Sequence, residues 1–193
     1  MNIDLSWDLL IIVVFAFVIG YSFIVGINRT LKIIIGVYLA SLAADSIGNL
    51  ANHYLLSASG FSRALSLFNL ATTQETLILF KIMIFSIATV VIATKGAFNV
   101  EVARPLRTGL ATSVNGVFGF LNAGLVVSIL LVYVSGLSFA QTASANAGIA
   151  AMYADSPLVK IMVNNHDLWF SVPVIALIIW SIFANRVVEE DEI

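Results

Sequence analysis

Asp45 and Lys81 are the two ionisable residues that stand well inside long apolar segments of this 193-residue chain. A charge held in hydrocarbon costs at least ~2.5 kcal/mol, so such a carboxylate and such an ammonium raise a functional question by their position alone. Asp45 lies about five residues before the end of its segment, and Lys81 about five residues after the start of the next. At ~1.5 Å per residue the two share a depth, which allows an Asp45–Lys81 ion pair. The alternative is that Lys81 snorkels toward the surface while Asp45 reaches interfacial water. A third reading lines an ion or proton path with both.

Other residues offer less. Asn122, Ser128, Ser86 and Thr89 are placed to hydrogen-bond between helices, which is how most polar residues in such segments serve. His53 and His166 fall in stretches read as loops, with Asp155 and Asp167 available, but no metal-ligand spacing joins them. Ser135 in Val134-Ser135-Gly136 has no glycine before it and no histidine in any apolar segment to activate it. The chain has no cysteine, no phosphate-binding loop and no HExxH helix. The expectation is therefore no catalytic residue, no metal and no cofactor.

The elements that carry these residues follow from composition. Hydrophobic residues make up 60% of the chain and charged residues 10%, too few to give a soluble domain of this size a polar surface. Free backbone N–H and C=O groups cannot be satisfied in hydrocarbon, and the alternation of a membrane barrel is absent, so the segments are helical. The fold expected over residues 1–193 is a single all-α membrane domain. It is a bundle of four to five transmembrane helices plus two short amphipathic interfacial helices.

The apolar segments read as spans at 9–27, 31–50, 76–94 and 113–133, each long enough for a ~30 Å layer. Asn28-Arg29-Thr30 is the break between the first two. The last segment, 168–184, is short and contains Pro173, so it either crosses or turns back. The amphipathic runs are 61–71 and 157–167. Asp4 and Asp8 stand where a cleavable signal peptide would carry basic residues, so the first segment reads as a retained span.

Lysine and arginine set the orientation. With the N-terminus outside and five spans, Arg29, Lys32, Lys95, Arg104, Arg107 and Arg186 fall inside, against Arg63 and Lys160 outside. The C-terminus and its acidic tail are then cytoplasmic. A net charge of −2 gives no reason to expect a nucleic-acid partner.

Small residues four apart mark packing faces, because a flat stripe lets a second helix approach closely. Gly36, Ala40, Ala44 and Gly48 form the longest stripe and make the second segment the expected packing hub. Ala16 and Gly20 begin another on the first segment, and Asn115, Gly119 and Ala123 form one on the fourth.

Two stretches resemble the CvpA (colicin V production protein) family of small bacterial inner-membrane proteins. Trp7-Asp8-Leu9-Leu10-Ile11-Ile12 through Val25-Gly26-Ile27-Asn28-Arg29-Thr30-Leu31 is similar to its N-terminal pattern, with Val25 where the family has the arginine of an Arg-Gly pair. Residues 112–127 resemble its glycine-ladder helix. The resemblance covers about residues 7–56 and 109–137. It implies a cell inner-membrane location, an accessory role in envelope homeostasis or toxin export, and no established catalytic mechanism. Asp8, Gly26, Gly119 and Ala123 carry the family pattern. Some relatives have a periplasmic protease domain after their fourth span, which implies an outside N-terminus.

Two functional expectations result. The first is a non-enzymatic scaffold or subunit whose partners are the lipid bilayer and itself or another membrane protein. The second is a small transporter or channel with Asp45 and Lys81 lining a polar path.

Overall fold

The protein is described here by a computed structural model covering residues 6–56, 73–96, 108–135 and 156–189. The expected helix at 61–71, the basic residues Arg63, Arg104 and Arg107, Asp155, and the acidic residues 190–192 lie outside that set. Among the described residues there are six α-helices: α1 (Trp7–Val25), α2 (Ile27–Ala51), α3 (Thr73–Lys95), α4 (Thr108–Val134), α5 (Pro157–Asn164) and α6 (His166–Glu189). A π-helical stretch, Asn52–Leu56, extends α2. The described residues contain no strand. Helices α1 to α4 are each long and apolar enough to cross a membrane, and α5 with α6 makes a fifth crossing if the bent pair acts as one span. The architecture is an all-α membrane bundle.

The connection between α1 and α2 differs from the expected three-residue break. Asn28, Arg29 and Thr30 are helical, and the chain reverses at Gly26 alone. Gly26 has φ 79° and ψ 170°, a conformation essentially restricted to glycine. Its N–H donates to the Ser22 carbonyl at 3.0 Å, and Thr30 Oγ1 donates to the Gly26 carbonyl at 3.0 Å. Asn, Arg and Thr read as a break because they are polar, yet at the end of a span they extend the helix into the interface.

The packing hub also differs. Of the crossing window of α4, 67% is buried, against 44% for α2, and α4 touches α1, α2, α3, α5 and α6. Small residues point in several directions around it. A Cβ on Gly116 would stand 3.3 Å from Phe23, one on Gly119 would stand 2.9 Å from Ser22, and one on Gly124 would enter the Trp169 ring. A single stripe such as that of α2 serves one neighbour, whereas Gly116 and Gly119 serve α1 and Gly124 serves α6. Ala16 and Gly20, by contrast, are exposed, and nothing approaches within 4 Å of a Cβ built on Gly20. Among the described residues, the Gly20 position meets no packing neighbour.

The C-terminal pair bends by 61° at the junction of α5 and α6. Ser156 caps α5, accepting from the Val159 amide, and Pro157 occupies the first turn, where its missing N–H costs nothing. α6 stays helical through Pro173. Close to that proline the Tyr38 hydroxyl donates to the Phe170 carbonyl at 2.5 Å, tying α6 to α2.

Replacing Gly26 by alanine should destabilise the protein by about 1–3 kcal/mol. A Cβ there meets no atom within 4 Å, so the loss is purely one of backbone conformation. Unfolding in mixed micelles measures it, and an unchanged midpoint would refute the account.

Candidate functional site: an intramembrane ion pair

Helices α2 and α3 lie against each other, and the small-residue stripe of α2 forms the contact. Gly36, Ala40, Ala44 and Gly48 are all buried. At one end of the stripe, a Cβ on Gly36 would fall 2.8 Å from Ile92 Cγ2. At the other, a Cβ on Gly48 would fall 2.6 Å from Cγ, 2.8 Å from Cε and 3.2 Å from Cδ of Lys81. The methylene stem of Lys81 therefore runs across the bare backbone of Gly48. Its ammonium reaches Asp45, with Nζ 2.8 Å from Oδ1. Lys81 turns along α2 instead of snorkelling outward.

Burial makes the pair consequential. The side chains keep 7% (Lys81) and 15% (Asp45) of their exposure. Each charge alone would be heavily penalised there, and together they satisfy one another at charge-assisted hydrogen-bond distance. A second tie holds the far end of the same two helices: Lys32 Nζ donates to the Gly96 carbonyl at 2.6 Å.

Tyr133 of α4 completes the surroundings, and the sequence reading passed over it. It is 1% exposed, and its hydroxyl donates to the Ser41 carbonyl at 3.0 Å. Ser41 lies one helical turn before Asp45, and Phe85, which meets the Tyr133 ring edge-on at 5.9 Å, lies one turn after Lys81. The available signal was chemical: a tyrosine near the end of a span needs a partner for its O–H.

The remaining expected residues divide into two groups. Asn115 Nδ2 donates to the Ser22 carbonyl at 2.7 Å, Gly119 admits Ser22 beside it, and Ala123 is fully buried. These three therefore sit at buried contacts of α4, the first two against α1 beside the Gly26 turn. Asp8, in the first turn of α1, accepts from Ser156 Oγ and from the Leu158 amide at 3.2 Å. It thereby joins the start of α1 to the start of α5, across nearly the whole sequence.

The histidines are not in loops. His53 lies in the π-helical stretch with its ring edge-on to Tyr54 at 4.8 Å. His166 opens α6, its Nε2 3.0 Å from Asp167 Oδ1. Both helices continue past the point where hydropathy falls, since polarity ends a span sooner than it ends a helix. Ser135 Oγ donates to the Val132 carbonyl. Among the described residues, no three His, Asp or Glu side chains converge in a way that would hold a metal ion. Among the described residues, four buried oxygens, on Thr89, Asn115, Asn122 and Ser128, have no hydrogen-bond partner.

Removing one member of the pair strands the other, so Lys81→Met should destabilise the protein by ~3–5 kcal/mol. Adding Asp45→Leu to that variant should recover most of the loss. Gly48→Val should mimic Lys81→Met with both charges intact, because it evicts the lysine stem. Unfolding titrations of these three variants and the parent protein decide this, and a double variant no more stable than Lys81→Met would sink it.

Comparison of the chain with protein-family models, with curated proteins and with solved structures gives no match.

Proposed function

We propose that this protein is a non-enzymatic scaffold or accessory subunit of a bacterial inner-membrane complex, akin to the CvpA-like envelope and toxin-export proteins. The supporting observation is the closed ion pair. Asp45 and Lys81 spend their charges on each other, and Gly48 supplies the space that lets them do so. A carboxylate committed to a neighbouring ammonium acts as a clamp between α2 and α3 and is not poised to bind a passing solute. Asp8 and Gly26, the residues of the N-terminal family pattern, hold equally structural places at an interhelical cap and a chain reversal. The orientation consistent with this role is an outside N-terminus and a cytoplasmic C-terminus, from the lysine and arginine distribution.

A transporter or channel is the second reading. The four buried oxygens without partners favour it, because unpaired polar atoms inside a bundle are where water or an ion is received.

Two measurements separate these roles. Cross-linking in native membranes should capture a stable complex with a second copy or another membrane protein. Proteoliposomes should leak ions no faster than protein-free vesicles. Flux that vanishes in Asp45→Asn would overturn the scaffold reading.

A further inference from the structure

The face of α2 turned away from its small-residue stripe carries a second pattern. Ile35, Leu39, Leu42, Ser46, Asn49 and His53 follow one another at alternating steps of four and three. Leu39 is 48% and Leu42 63% exposed, and Ser46, Asn49 and His53 are exposed as well. A repeat averaging 3.5 residues holds one line of a helix against a partner in left-handed coiled-coil packing.

Depth makes the polar members notable. Counting from Lys32 at ~1.5 Å per residue, Ser46 lies about 21 Å and Asn49 about 26 Å along α2. Both therefore fall within a ~30 Å hydrocarbon layer. Their neighbours Ile47 and Leu50 are exposed aliphatics, as lipid-facing positions should be. A carboxamide turned toward lipid leaves two N–H groups and a carbonyl unsatisfied. Asp45 adjoins this face in sequence, three residues after Leu42 and four before Asn49.

We propose that this face of α2 is the interface with a second copy of the chain, the two α2 helices packing in parallel. The inference rests on the scaffold reading and names its partner and surface. The occupant follows from chemical self-complementarity. Two copies inserted with the same topology present the same residue at the same depth across a twofold axis normal to the bilayer. A carboxamide satisfies its own kind, each Asn49 donating to and accepting from Asn49 of the partner subunit. The Ser46 hydroxyls do the same one turn deeper, and their small size lets the backbones approach.

The absence of cysteine from the sequence makes the test direct. Full-length protein carrying Leu42→Cys, Ile47→Cys or Ala16→Cys is oxidised in native membranes. The expected result is a disulfide-linked dimer from Leu42→Cys and little from the other two. Adding Asn49→Leu to Leu42→Cys should weaken dimerisation about threefold to tenfold, since interhelical hydrogen bonds in membranes carry modest energies. Dimers forming through Ala16→Cys or Ile47→Cys alone would overturn the interface while leaving a self-associating scaffold intact. A different protein captured at Leu42, or a dimer indifferent to Asn49→Leu, would overturn it as well. A strictly monomeric protein showing ion flux would remove both this inference and the scaffold reading.

Discussion

Hydrocarbon gives helices no hydrophobic reason to associate, so a bundle in a membrane depends on how near two backbones can come. In this protein that constraint selects where side chains are missing. Gly116, Gly119 and Gly124 open α4 to Phe23, Ser22 and Trp169, and Gly36 and Gly48 open α2 to Ile92 and Lys81. Many of the large aliphatic residues among the described positions face outward. α1 buries only Ile11 and Ser22 among its nineteen residues.

The polar ties share a chemical logic. Asn115 to Ser22, Tyr133 to Ser41 and Tyr38 to Phe170 each join a side-chain donor to a backbone carbonyl of another helix, and Lys32 reaches the carbonyl of Gly96, just past the end of α3. A carbonyl has two lone pairs, so it can accept such a donor beside its helical bond. The tie then needs a suitable residue on only one of the two helices. Asp45–Lys81 needs a matched partner on each, which is why losing either side chain is far more damaging than losing a carbonyl-directed donor.

How much of this the sequence discloses depends on the kind of constraint. Helical spans are legible because hydrocarbon forces them, and the common depth of Asp45 and Lys81 comes from counting residues. The role of Gly48 is not legible that way. As a letter it is one more small residue in a stripe, and only the path of the Lys81 stem reveals what it makes room for. The central place of α4 is hidden for a related reason. A four-residue period reports one face, whereas Gly116 and Gly119 face α1 and Gly124 faces α6. The Asp8 contact with Ser156 and Leu158 joins opposite ends of the chain, and no local pattern announces it. Polarity placed the break at Asn28-Arg29-Thr30, whereas the chain turns before them, at Gly26.

The reversal at Gly26 has a bearing on how the chain enters the bilayer. One residue leaves no slack between α1 and α2, so neither helix can turn about its axis without turning the other. Each residue of an α-helix advances the azimuth by ~100°. The length of the helical run on either side of Gly26 thus sets which way both helices face. A single inserted residue near that turn would redirect one helix by more than a quarter turn, separating Ser22 from Asn115. The two helices are therefore phase-locked, and the register of the whole bundle is set at its first corner.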